Sequence, residues 1–244
     1  MQIVDFIGQN IFWVLLVILA IFVIITAYRA NSAFDRYLEM REKYTKMPCS
    51  LNVSAKTLGE EFSKIHFNGI IKLEKTGKDG PDGSYIPKTQ TVNIKEDLLE
   101  NNSIGAISVL AHEFGHAVQH FQNPEILIKH QKLNRIVKTL GNLNPLIVIT
   151  SVVLCITIGY IYAFLGLGIL LLNTIVAICL KLRTVNLEKN ASQEAVKLLE
   201  NYGFNEADLV SIKKFLSYAK NTYKADLVCA LLGWTGLTRK TNYF

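Results

Sequence analysis

The stretch 103–122, SIGAISVLAHEFGHAVQHFQ, carries three of the chain's five histidines and governs how the rest is read. Asn102 or Ser103 can cap its start and Asn123-Pro124 stops it, so it is predicted to form one helix. Within it, His112-Glu113-Phe114-Gly115-His116 sets two imidazoles four residues apart, on one face and about one turn from each other. Ring nitrogens so placed can converge on a single ion. Glu113, next to the first imidazole, can reach a water polarised by that ion and accept its proton. With 5 His and 13 Glu in 244 residues, H-E-x-x-H arises by chance with odds of roughly one in two hundred. The neighbours Val109, Leu110, Ala111, Ala117 and Val118 are apolar. Burying two imidazoles and a carboxylate among them without a metal would be costly.

A catalytic zinc centre takes three protein ligands and leaves one position for water. The residue ten after His112 is Gln122, which excludes the metzincin pattern. His120 lies one turn beyond His116, but three ligands on successive turns of a straight helix would span about 12 Å, too far for one ion. His120 is therefore expected beside the site or at the surface, as an accessory group. Glu125 follows a proline and is poorly placed. The expected third ligand is Glu188, in Glu188-Lys189-Asn190-Ala191-Ser192.

That assignment depends on the membrane topology. Half the residues are hydrophobic, and the apolar excess comes in blocks, as in transmembrane segments. The first block, Ile11 to Ala27, is uncharged, and as a helix it would span about 26 Å. It lacks the basic start of a cleaved signal peptide and reads as a retained anchor. Arg29, Arg36, Arg41, Lys43 and Lys46 follow it, which puts the N-terminus outside and the next segment in the cytoplasm. No charge occurs over the 42 residues from Thr139 to Leu180, enough for a hairpin of two spans turning at Gly159-Tyr160-Ile161-Tyr162. Basic residues flank the hairpin on both sides: Lys129, Lys132, Arg135 and Lys138 before it, then Lys181, Arg183 and Lys189. Glu188 thereby returns to the side that holds His112 and His116. The net charge of +6 reads as topology determination and attraction to anionic lipid rather than nucleic-acid binding.

Between the spans, residues 29–46 read as a charged helix ended by Pro48, and Ser54 caps a helix over 55–66. Ile70–Glu74 and Thr89–Ile94 read as two strands, with Gly77–Gly83 as a loop between them. After the hairpin, Leu187–Asn201 reads as a helix ended by Gly203, and Asn205 caps another. The apolar run Leu227–Leu237 is too short to span and should pack on the membrane face or on the domain. Cys49, Cys155, Cys179 and Cys229 form no CxxC pair, so neither a disulfide framework nor a thiolate zinc site is indicated. The expected fold is a mostly α-helical membrane protein. It comprises an N-terminal anchor (1–28), a small α+β zincin-like cytoplasmic segment with the HExxH helix (29–138), a transmembrane helical hairpin (139–181) and a C-terminal helical segment (182–244).

On these residues the chain resembles the YugP-like bacterial neutral zinc metallopeptidases, which are membrane-bound and distantly similar to the HtpX and CAAX prenyl protease class. The resemblance rests on an anchor, a small α+β segment, His112-Glu113 with Gly115-His116-Ala117, an apolar hairpin, then Glu188, Ala191 and Ser192. It implies a zinc ion bound by His112, His116 and Glu188, Glu113 as base and acid, and a bacterial cell membrane. The chain departs from the family pattern at Asn190, where relatives carry an aspartate that would serve a ligating histidine. It departs again at Ser84-Tyr85-Ile86-Pro87, where relatives show a His-Tyr-Asp-Pro turn.

The expected activity is that of a gluzincin-like endopeptidase at the cytoplasmic membrane surface, acting on a polypeptide substrate. The substrate would lie along an edge strand near Thr89–Ile94. Tyr85 is a candidate stabiliser of the developing oxyanion. Two rival readings stay open. One is a non-catalytic membrane scaffold with a structural metal closed by a fourth ligand such as His120. The other is a metal-dependent hydrolase of a lipid-linked, non-peptide substrate.

Overall fold

The computed structural model describes residues 2–77 and 80–232. Seven α-helices and three strands follow one another among them. They are α1 (Gln2–Thr45), α2 (Ala55–Phe67), β1 (Lys72–Thr76), β2 (Gly83–Ile86), β3 (Thr91–Lys95), α3 (Glu96–Leu99), α4 (Ile104–Gln122), α5 (Pro124–Thr157), α6 (Ile161–Tyr202) and α7 (Glu206–Leu232). The chain divides into two compact units. Among the described residues, one gathers 33–132 and 184–223, and the other gathers 2–32, 133–183 and 224–232.

The second of these units is built from apolar helix. α1, α5 and α6 are each long and apolar enough to cross a membrane. Large side chains such as Trp13, Val17, Ile149, Ile156, Leu171 and Leu172 are exposed along them, as expected where lipid is the solvent. α5 ends at Thr157, Gly159 adopts φ +149°, and α6 begins at Ile161, so the hairpin turns where the glycine and tyrosines predict. The Asn173 amide donates to Asn144 Oδ1 at 3.3 Å, a polar tie between the uncharged stretches of α5 and α6.

The first unit holds a conventional core. Ser54 caps α2, accepting from the Thr57 N–H at 3.2 Å, and Asn68 and Gly69 close it in the left-handed region. Ser103 caps α4 in the same way, accepting from Ala106 N–H at 3.3 Å. Phe62, Phe67, Leu110 and Phe114 join α2 and α4, with Phe62 and Phe114 meeting edge to face at 5.5 Å. Ile212, Phe215, Leu216 and Ala219 seat α7 in the same core, and Phe215 contacts Tyr37 and Tyr44 of α1.

Several expectations change. The segment 84–87 is not a turn throughout, because residues 83–86 form β2, which pairs antiparallel with β3 while β1 pairs parallel with β3. The sheet order is β1-β3-β2, so the Thr89–Ile94 region is the central strand and cannot be an edge. Both of its ladders are already used, and Thr91, Val92, Asn93 and Ile94 are buried. The helices expected over 29–46 and 187–201 are not separate elements. They continue from the apolar segments as the ends of α1 and α6. Of the apolar run Leu227–Leu237, the part to Leu232 belongs to α7 and the remainder lies outside the described residues.

Candidate metal centre

The candidate ligands and their neighbours lie in the unit of residues 33–132 and 184–223. α4 presents His112 and His116 on one face, and α6 presents Glu188 opposite them. One ligand atom from each lies within 4.8 Å of the other two. Glu188 Oε2 is 3.3 Å from His112 Nε2 and 3.2 Å from His116 Nε2. The imidazole centroids are 4.8 Å apart with the rings 80° to each other. His112 and Glu188 are buried and His116 is partly so.

Hydrogen bonds on the far side of each ring fix which nitrogen faces this cluster. The Gln119 amide nitrogen donates to the Leu187 carbonyl and to Asn190 Oδ1, both at 2.8 Å. A main-chain carbonyl only accepts, so the Gln119 amide can stand only one way round, with Oε1 toward His116 Nδ1 at 3.0 Å. His116 therefore carries a proton on Nδ1. Ser192 acts similarly on His112: its single hydroxyl proton goes to the Glu188 carbonyl at 3.0 Å, leaving an acceptor lone pair 3.3 Å from His112 Nδ1. In the neutral rings both Nε2 lone pairs thus aim at a carboxylate oxygen. Lone pairs facing one another at this distance require a cation between them, either a proton or a metal ion. Two imidazole nitrogens and one carboxylate oxygen form a donor set that suits zinc, so the residues fit the ion.

The titration pattern of the ion-free cluster agrees. Burial alone would raise the Glu188 carboxyl, but the His116 and His112 imidazoles outweigh it and hold the group well below the usual carboxylate range. Burial opposes charge on His116, yet Glu188, Glu113 and Gln119 together raise it to about 9. Glu113 lies at 5% exposure, and burial pushes its carboxyl up, against the pull of His112 and His116. A carboxyl whose proton affinity is raised by burial is suited to take up a proton and to give it back.

Two glycines make the geometry possible. At Gly115 a side chain would strike the backbone of Ala191, at 2.9 Å from its carbonyl carbon. The glycine within H-E-x-G-H is therefore what lets α6 approach α4 closely enough to deliver Glu188. At Gly83 a Cβ would lie 2.9 Å from Glu113 Cγ, so β2 runs directly against the Glu113 side chain. The Tyr85 main-chain N–H also bonds that carboxylate.

The remaining candidates fall around this cluster. The Tyr85 hydroxyl pairs with His120 Nδ1 at 2.8 Å, one turn beyond His116, and among the described residues His120 does not join the three converging ligand atoms. Asn190 serves Gln119 rather than a histidine directly, which corrects the expectation drawn from the family pattern. Sequence reasoning misses Gln119, although its position three residues after His116 is a readable signal. It misses Tyr223 as well, and no motif marks that residue. The Tyr223 hydroxyl lies 3.5 Å from His112 Nε2 and also hydrogen-bonds Glu188. Burial, followed by Glu188 and Glu113, raises its phenol well above the ordinary value.

With this geometry in hand, comparison with known proteins is decisive. The family model described as "Putative neutral zinc metallopeptidase" matches residues 12–238. The chain belongs to this family. It is also 31% identical over 195 residues to "Putative membrane protease YugP" of Bacillus subtilis (strain 168), an alignment covering 78% of this chain and 81% of that protein. No solved structure matches the chain. Membership of a zinc metallopeptidase family agrees with the donor set, and likeness to a membrane protease agrees with the three apolar helices.

Proposed function

We propose that this member of the family is a cell-membrane zinc endopeptidase that hydrolyses peptide bonds at the cytoplasmic face. Its N-terminus would lie outside, with the anchor of residues 1–28 and the hairpin of residues 139–181 in the bilayer. His112, His116 and Glu188 would hold the zinc, and Glu113 would act as general base and then general acid in a gluzincin-like arrangement. The observation that carries this reading is the convergence of the two outward-tethered imidazoles on the Glu188 carboxylate.

Zinc in this position supplies Lewis acidity to a water and to the substrate carbonyl. The chain's own residues do the rest. Glu113 takes a proton from the attacking water, and its raised proton affinity lets it give that proton to the leaving nitrogen. Gln119 and Ser192 hold the two imidazoles in the tautomer that presents Nε2. An extended polypeptide substrate would add to β2, the outer strand that touches Glu113, by main-chain hydrogen bonds. Tyr85 and His120 would then brace β2 against α4 as accessory groups.

Glu113→Gln tests the reading. The variant should bind one zinc per chain as the native protein does and lose casein cleavage by at least about a hundredfold. Cleavage at the native rate by a zinc-replete Glu113→Gln chain would refute it.

A further inference from the structure

Amide hydrolysis puts negative charge on the carbonyl oxygen, and a pre-placed hydrogen-bond donor at that oxygen is among the strongest aids a protein can supply. The hydroxyls near the centre can be sorted by where they point. Tyr85 is on His120 at 2.8 Å, and Tyr37 donates to Asp82 Oδ2 at 3.1 Å. Ser192 lies on the Nδ1 side of His112, away from the converging ligand atoms. Tyr223 alone of these four reaches the ligand atoms themselves. Its hydroxyl lies 3.5 Å from His112 Nε2, the nitrogen turned toward Glu188, and it hydrogen-bonds Glu188 as well. Its ring lies 6.5 Å from the imidazole at an angle of 32°, and α7 is anchored in the core one turn earlier, at Ala219.

We propose that Tyr223 is a catalytic residue of the hydrolysis, its phenol donating a hydrogen bond to the scissile carbonyl oxygen as that oxygen becomes negative. This rests on the peptidase reading above. In the addition step the water oxygen bonds to the carbonyl carbon and one of its protons passes to Glu113. The carbonyl π pair moves onto oxygen, where the Tyr223 O–H donates without giving up its proton. On collapse the pair returns, the C–N bond breaks and Glu113 hands its proton to the departing nitrogen. The products are a carboxylic acid and an amine.

The test uses the full zinc-loaded chain in detergent, as native protein, Tyr223→Phe, Tyr223→His and Glu113→Gln. Zinc content, casein cleavage and calorimetric binding of acetohydroxamate, a small oxygen-donor probe, are measured on each. Tyr223→Phe should keep one zinc per chain and a KM within about threefold, while kcat falls about 10²–10³-fold. Acetohydroxamate should bind it about tenfold more weakly, from loss of one hydrogen bond. Tyr223→His, which retains a donor, should recover part of kcat and also serves if the phenylalanine variant misfolds. A kcat within threefold of native, or zinc loss from both variants, overturns the assignment. Failure of the peptidase reading itself has a different signature, with native protein and Glu113→Gln alike in casein cleavage. Acetohydroxamate affinity then decides the role of Tyr223 alone, and equal binding by native protein and Tyr223→Phe overturns it.

Discussion

Replacing Gly115 with alanine adds one methyl group at the tightest point between α4 and α6. That methyl would stand 2.9 Å from the Ala191 carbonyl carbon and 3.3 Å from its Cα, and nearer still to the carbonyl oxygen. Carbon atoms rest at about 3.5–4.0 Å, so the two backbones must separate by roughly 1 Å. Neither side of the contact is a flexible side chain that could swing away. Ala191 follows Glu188 by one turn of α6, so the carboxylate withdraws together with the backbone. Metal–ligand distances tolerate only about 0.2 Å of error, so a displacement of this size removes Glu188 as an effective ligand. Overpacking of this kind costs about 1–3 kcal/mol, and each kcal/mol lowers Tm by about 2–4 °C in a chain of this size. Gly115→Ala should therefore melt several degrees lower and bind zinc at least about a hundredfold more weakly, since losing a ligand costs no less than losing a group that supports one. Competition against a fluorescent chelator in detergent measures the affinity, and scanning calorimetry measures Tm. Gly168→Ala is the matched control: nothing lies within 4 Å of a Cβ there, and both quantities should stay at the native value. If Gly115→Ala binds zinc within threefold of native protein, close helix approach is not what positions Glu188.

Gln119→Ala removes the acceptor for the His116 Nδ1 proton and should weaken zinc binding about 10–100-fold. Asn190→Ala should cost less, because the Leu187 carbonyl still orients the Gln119 amide; equal losses in the same chelator titration would refute the tether argument. Zinc affinity should also depend on pH. The ion-free cluster holds a proton on His116 up to about pH 9, and zinc must displace it. Affinity should then rise about tenfold per pH unit from 7 to 9 and level off above, and an affinity independent of pH over that range would refute the model. The sign for the metal-free fold is the opposite. A raised His116 stabilises the folded chain fully below about pH 6.5, its unfolded value, and that contribution is lost as pH rises through about 9.

What can be read from the sequence follows from how local each signal is. The α4 motif, its Ser103 cap and the stop at Pro124 depend on residues within a few positions, and the helix runs as expected. The uncharged 42-residue run points to the hairpin and its turn, because bilayer thickness leaves few alternatives. β2 is not legible. Its four residues, Gly83–Ile86, carry turn-forming composition and become a strand only by pairing with β3. Because β2 takes one side of β3 and β1 the other, the assignment of an edge strand fails with it. Strand order is a non-local property that alternation of side chains cannot report.

The hydrogen-bond chain behind the candidate ligands shows the same division and bears on the departure expected at Asn190. A histidine ligand needs an acceptor for its far nitrogen, and sequence reasoning looks for that acceptor in the residue at 190. The structure instead interposes Gln119, whose amide has both an acceptor and two donor protons. An amide in this place needs a partner that accepts, and either an asparagine oxygen or an aspartate oxygen at 190 provides one. A carboxylate at 190 would add charge to the chain and strengthen its pull on the His116 proton, whereas Asn190 leaves the chain neutral. Among the described residues, the carboxyl groups that raise His116 are then Glu188 and Glu113. Asn190 therefore suffices for tautomer selection, and an aspartate at this position would act instead on the basicity of His116.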